Sequence, residues 1–114
     1  MRLTTTLWFA TEAERAARRY VEIFGGAEPR VQRGPDGSVL LVEFTVLGCH
    51  FTAMNGARVA PSEAISFQVP CDTQEQIDTI SDALIGETGE QQACGWLRDE
   101  FGVWSLFMPD DQYA

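Results

Sequence analysis

The apolar pattern of this chain runs twice, and that repetition limits the architectures open to it. Leu3, Leu7 and Phe9 alternate with threonines as in a two-faced strand. Ala13, Ala16, Ala17, Tyr20, Val21 and Phe24 then follow at helical spacing. The same order returns with Ile65, Phe67 and Val69 on one strand face and Ile77, Ile80 and Leu84 on a helix stripe. Phe9 and Val69 stand sixty residues apart, as do Tyr20 and Ile80. Two copies are too few for a solenoid array. Each copy alone covers one sheet face with its helix and leaves the other bare. Two such units side by side are expected to curl their sheets into a trough whose bare faces line a small-molecule cavity.

Local signals mark the boundaries. Thr11-Glu12-Ala13-Glu14 reads as a capping box at the start of the first helix, near Thr11, and Gly25-Gly26 stops it. Residues 28–33 can form a strand, Gly34-Pro35-Asp36-Gly37 is a turn by composition, and 38–47 is β-rich. Gly48 permits a reversal into the strand 49–54, which Asn55-Gly56 ends. The second copy has a strand at 64–69, a helix start at Asp72-Thr73-Gln74-Glu75, an extended run at 91–97 and a last strand at 103–108 after the Phe101-Gly102 turn. The chain is read as one domain, 1–114, with modules at 1–56 and 63–109. Residues 57–62, with Pro61, read as the linker.

Composition excludes several classes. Eight basic and seventeen acidic residues give a formal charge of −9, which argues against nucleic acid, whose phosphates need clustered Lys and Arg. The first residues, Met1-Arg2-Leu3-Thr4-Thr5-Thr6, lack the apolar run of a signal peptide, and no stretch approaches the ~20 apolar residues of a membrane span. Three cysteines, Cys49, Cys71 and Cys94, do not make a disulfide framework, so the expectation is a reduced, cytoplasmic protein with no membrane partner. A chain this short, though 45% hydrophobic, often gains stability by pairing with a second copy.

Further motifs carry a family resemblance. These are Ala64-Ile65-Ser66-Phe67, Cys71-Asp72-x-Gln74-Glu75-x-Ile77-Asp78, and Cys94-Gly95-Trp96-Leu97-x-Asp99-x-Phe101-Gly102-Val103. With Trp8-Phe9, Glu12-Ala13-Glu14, Tyr20-Val21-x-Ile23-Phe24 and Ala53-x-Asn55-Gly56, they resemble the 3-demethylubiquinone 3-methyltransferase-like branch of the vicinal oxygen chelate superfamily. Glyoxalase I, bleomycin-resistance proteins and extradiol dioxygenases share that superfamily. The resemblance spans nearly the whole chain. It implies an α+β fold of two βαβββ modules, curved mixed sheets around a cavity, and commonly a homodimer.

Catalytic members hold a divalent metal with four His, Gln or Glu side chains from the first and last strands of the modules. If Phe9 and Val69 face the helices, even-numbered residues of those strands face the cavity. The four slots then fall at Thr4, Ala64, Thr52 and Leu106, with Leu106 standing where many relatives carry Gln. Hydroxyls and methyls are poor ligands for a hard divalent ion, so no metal and no cofactor is expected. A nucleotide-type methyltransferase needs a glycine-rich strand-to-helix turn, and no such motif follows a strand here.

The remaining candidates are a cavity lining and one weak catalytic residue. The lining comprises Thr4, Thr6, Trp8, His50, Thr52, Met54, Ser66, Gln68, Trp104 and Leu106, with Met108 at the same parity. His50, the single histidine, is the one side chain whose ordinary pKa lies near neutrality. It reads either as a base or as an exposed residue two positions past Gly48. Cys94, Cys71 and Cys49 read as small buried thiols. Asp99 and Glu100 point to opposite faces of an extended chain and are expected to serve the turn. Three functions stay open at this point. One is a metal-free protein binding a small apolar or aromatic molecule. A second is a lyase- or dioxygenase-type enzyme, or a protein carrying the methyltransferase description. The third is a structural dimer with a filled trough.

Overall fold

A computed structural model describes residues 1–56 and 58–110. Ala57, in the expected linker, lies outside them. The chain divides into two compact units, Met1–Ala60 and Pro61 onward.

The first unit contains β1 (Thr5–Phe9), α1 (Ala13–Phe24), β2 (Arg30–Arg33), β3 (Val39–Val46) and β4 (Cys49–Asn55). Its sheet has the order β1-β4-β3-β2, with β1 parallel to β4 and the other pairs antiparallel. One sheet face is apolar because residues alternate across a strand. Phe9, Ala53, Val42, Phe44 and Val46 are buried there, and α1 covers them with Ala13, Ala16, Ala17 and Tyr20. The alanines let the helix axis approach the sheet. Tyr20 and Phe51 stack on either side of Phe44, with ring centroids 6.0 and 5.2 Å away.

The second unit contains β5 (Ser66–Cys71), α2 (Gln74–Ile85), β6 (Glu90–Gln91), β7 (Trp96–Arg98) and β8 (Trp104–Pro109). The sheet order β5-β8-β7-β6 reproduces that of the first unit, again with one parallel pair, β5–β8. Each unit is therefore βαβββ, and the fold is α+β with mixed sheets. The helices are offset by one residue more than the sixty of the apolar pattern, since Ala13 and Gln74 open them and Phe24 and Ile85 close them. Ser81, not Ile80, accordingly stands where Tyr20 stands. Ser81 and Leu84 are the buried residues of α2, while Ile77 and Ile80 are half-buried.

Several local expectations are corrected. The Thr11–Glu14 capping box does not form, and the helix begins after Glu12, whose side chain makes no cap bond. Asn55 Oδ1, at the far end of β4, instead accepts from the Ala13 amide at 2.9 Å. The second helix is capped locally and one residue later than expected. Thr73 Oγ1 accepts from Gln76 N at 3.1 Å, and Gln76 Oε1 accepts from Asp72 N at 2.9 Å.

Ala64 does not lie on a strand. The Ser62 hydroxyl accepts from its amide at 3.3 Å, and such a local bond competes with a sheet ladder, so β5 begins only at Ser66. The run 91–97 is interrupted by one 3-10 turn, Ala93–Gly95, with Cys94 at φ 61°. Gly95 causes the close approach there: a Cβ at this position would lie 2.5 Å from the Phe107 carbonyl oxygen.

The turn before β8 is built by Asp99. Its Oδ1 accepts from the amides of Phe101 at 2.8 Å and Val103 at 3.0 Å, and its own amide donates to the Val103 carbonyl at 2.8 Å. This carboxylate is only 1% exposed. Its bonds offset the desolvation of a buried charge. They also engage the Val103 amide, so β8 starts at Trp104 instead of Val103.

Candidate functional site

The open face of the first sheet is organised in transverse rows by strand register. The middle row runs Thr6–Thr52–Glu43–Arg30 across β1, β4, β3 and β2. Arg30 and Glu43 form a cross-strand ion pair within it. Toward the β3–β4 hairpin, Thr45 is paired with His50, and Thr45 Oγ1 lies 3.1 Å from His50 Nδ1. In the other direction come the pairs Trp8–Met54 and Gln32–Leu41. The face therefore grades from polar, through hydroxyls and one ion pair, to apolar.

Residues of the polar rows line an open-sided hollow of about 600 Å3. Of the candidate residues, the structure brings together Thr4, Thr6, His50 and Thr52 in its lining, together with Arg2, Glu28, Arg30 and Glu43. Thr4 stands just before the first residue of β1. Trp8 and Met54 do not line the hollow; they form the next row on the same face. Trp8 is 41% exposed, and its ring occupies the space where a Gly56 side chain would stand, 3.1 Å from an ideal Cβ. Ser66, Gln68, Trp104 and Leu106 belong to the second unit. There Ser66 pairs with Trp104, and Gln68 with Leu106, which pairs in turn with Trp96. Met108 pairs with Pro70 on β5.

The four charged residues of the hollow escape sequence reasoning because each looks like ordinary surface charge. A usable signal existed at Glu43, which with Thr45 alternates against Val42, Phe44 and Val46 and so must face away from the helix.

Charge within the hollow is almost balanced. Glu43 is paired with Arg30, and Glu28 receives Arg18 Nη1 at 3.3 Å. Arg2 has no charged partner among the described residues. The hydroxyls of Thr4, Thr6 and Thr52 make no hydrogen bond within the protein among the described residues. His50 is half-buried, and its hydrogen-bond partner is a threonine hydroxyl rather than an orienting carboxylate. Among the cysteines, Cys71 is buried and its thiol pKa is raised, first by burial and then by the neighbouring Asp72 carboxylate. Cys49 and Cys94, expected to be buried as well, are instead exposed, Cys49 at the β3–β4 hairpin and Cys94 in the 3-10 turn.

A profile of the family described as 3-demethylubiquinone-9 3-methyltransferase matches residues 1–107. Among solved structures, the chain is similar to the PhnB protein from Bacillus cereus, described under the same methyltransferase name. The identity is 25%, the TM-score 0.80, and coverage is 96% of this chain and 99% of that one. It is also similar in fold to a glyoxalase/bleomycin resistance protein from Albidiferax ferrireducens, at 12% identity and TM-score 0.63, covering 95% and 98% of the two chains. A third similar structure is the fosfomycin resistance protein FosX from Listeria monocytogenes, complexed with Mn(II) and sulfate. Its identity is 16% and its TM-score 0.64, with 96% and 91% covered. No curated protein matches the sequence at comparable significance.

The donor set here does not fit a divalent ion of the kind the sequence resemblance implies. The slots offer the hydroxyls of Thr4 and Thr52, the methyl of Ala64, now in a turn, and the buried isobutyl group of Leu106. No group of three or more His, Cys, Asp or Glu placed to hold a metal occurs among the described residues. A nucleotide-type methyl donor fits no better. The β1–α1 connection is Ala10-Thr11-Glu12, without glycine, and the Ala13 amide at the helix start is taken by Asn55.

Proposed function

We propose that this chain, which belongs to the 3-demethylubiquinone-9 3-methyltransferase family, binds a small aromatic molecule over the open face of its first sheet, without a catalytic metal. One observation carries the reading: Thr4, Thr6 and Thr52, whose hydroxyls bond no other described residue, line a hollow of about 600 Å3 beside the apolar row of Trp8 and Met54. That volume is within the range of small-molecule sites, which join an apolar wall to a few convergent polar groups. Trp8 and Met54 offer a flat and a polarisable surface for an aromatic ring. Thr6, Thr52 and His50 offer hydrogen bonds at the adjoining edge. His50 serves here as a hydrogen-bonding group whose Nδ1 is engaged by Thr45.

The test is a thermal-shift titration with naphthalene-type compounds bearing a polar substituent. A ligand that binds only the folded state raises the melting temperature with concentration, by mass action. Thr52→Trp fills the hollow and should abolish the rise. Unchanged melting temperatures across the series, with the wild-type protein folded, would remove the reading.

The reading extends to assembly and setting. A homodimer would bury apolar side chains now exposed, such as Leu3 at 91% and Ile65 at 66%; light scattering showing a monomer at micromolar concentration would oppose it. The free thiols at Cys49, Cys71 and Cys94 suit a reducing, cytoplasmic compartment. No described helix is long and apolar enough to cross a membrane.

A further inference from the structure

We infer that the ligand of the first-unit hollow is an anion, and that Arg2 selects it. The inference rests on the binding reading above and adds the charge class. The chain as a whole carries −9, so a long-range field argument would favour a cation. At the hollow the negative excess is absent, since Arg2 and Arg30 stand against Glu28 and Glu43 in its lining. Both carboxylates that line it already hold guanidinium groups, Glu43 through Arg30 and Glu28 through Arg18. Arg2 lines the same hollow, and its guanidinium is matched by no carboxylate among the described residues. Remote charges are screened over about 8 Å at physiological ionic strength, so the nearby unmatched cation decides.

The chemistry of the lining agrees. A carboxylate accepts hydrogen bonds and donates none. Arg2 and the hydroxyls of Thr4, Thr6 and Thr52 can all donate toward it. The apolar row of Trp8 and Met54 begins about 7 Å from the Thr6 row, two residues along the strand. An aromatic ring carrying one carboxylate can thus place its ring on the apolar row and its charge among the donors. A ligand ammonium would meet carboxylates whose charge is already matched by a guanidinium, and would add its own charge beside Arg2. The ligand class is therefore an aromatic monocarboxylic acid in its ionised form.

Three probes of one shape test the inference: 2-naphthoate, 2-naphthamide and 2-naphthylmethylammonium, titrated calorimetrically into the full chain. At low ionic strength naphthoate is expected to bind about fivefold tighter than naphthamide, the scale of a partly exposed charge pair. The ammonium probe should bind weakest. Near 1 M salt, where screening acts within about 3 Å, the preference should shrink. Arg2→Gln should level naphthoate with naphthamide, the naphthoate affinity falling by the larger factor. Glu43→Gln, which releases Arg30, should tighten naphthoate alone. Equal binding of naphthoate and naphthamide by the wild type, or a preference for the ammonium, overturns the anion inference and leaves the binding reading intact. Failure of all three probes to bind overturns both.

Discussion

Replacing Asp99 with alanine tests the account of the second unit most sharply. The carboxylate is 1% exposed, and its Oδ1 accepts from two amides, Phe101 at 2.8 Å and Val103 at 3.0 Å, whose residues are themselves buried. Asp99→Ala removes the acceptor and takes this bond from two amides of buried residues. An unsatisfied buried donor costs about 1–3 kcal/mol. Some relief comes from no longer burying a charge, which places the net loss at roughly 2–4 kcal/mol. For a chain of this size each kcal/mol lowers Tm by about 4 °C, so the expected drop is on the order of 10 °C. Asp99→Asn keeps the Oδ1 acceptor but weakens it and puts an NH2 group in place of Oδ2, so it should cost about 1 kcal/mol, less than the Ala change. Differential scanning calorimetry of the three proteins measures both numbers. Tryptophan fluorescence adds location, since Trp96 and Trp104 belong to the second unit and Trp8 to the first. An Asp99→Ala protein melting within about 1 °C of wild type, or an Asn variant less stable than the Ala variant, would refute the reasoning.

Further outcomes follow from the same structure. Asn55→Ala should cost about 1 kcal/mol in urea unfolding through loss of the α1 cap, whereas Thr11→Ala, at the expected but unused capping position, should cost almost nothing. Gly95→Ala should lower Tm markedly, because its Cβ would stand 2.5 Å from the Phe107 carbonyl at a φ of 89°; a thermal melt equal to wild type would contradict that contact. The Glu14 carboxyl is held below its ordinary pKa by hydrogen bonds from Arg18 and then Arg33. Its stabilising share is therefore full above the unfolded-state pKa and lost as pH falls through the lower folded-state value. Glu14→Gln should accordingly flatten the acid limb of a stability–pH curve. In the native protein, Cys49 and Cys94 should react with a thiol reagent well before Cys71, whose thiol is buried and raised in pKa; mass spectrometry after partial labelling reads the order.

Much of the fold was legible because it depends on periodicity. The Ala13–Tyr20 stripe and the alternation through Val42, Phe44 and Val46 fix which faces are buried, and Gly48 and Gly102 place the reversals. What stayed hidden depends on contacts distant in sequence or on local competition for backbone bonds. No local rule predicts that Asn55, rather than Thr11, caps α1. The Ser62 hydroxyl draws Ala64 out of β5, and the approach of Gly95 to Phe107 breaks the run 91–97. The candidate site was half legible. Parity placed Thr6, Thr52 and His50 on the open face and could have placed Glu43 there, but Arg2, Glu28 and Arg30 could be recognised only once the fold set them beside the threonines.

The Asn55 cap has a further consequence. β4 carries His50 and Thr52 in the hollow and ends at the side chain that receives the Ala13 amide. One strand thus joins the proposed binding surface to the first turn of a helix on the opposite face of the sheet. The exchange rate of the Ala13 amide with solvent deuterium then becomes a remote gauge of occupancy. A molecule that settles on Thr52 and steadies β4 should slow that exchange, while the helix itself touches nothing new.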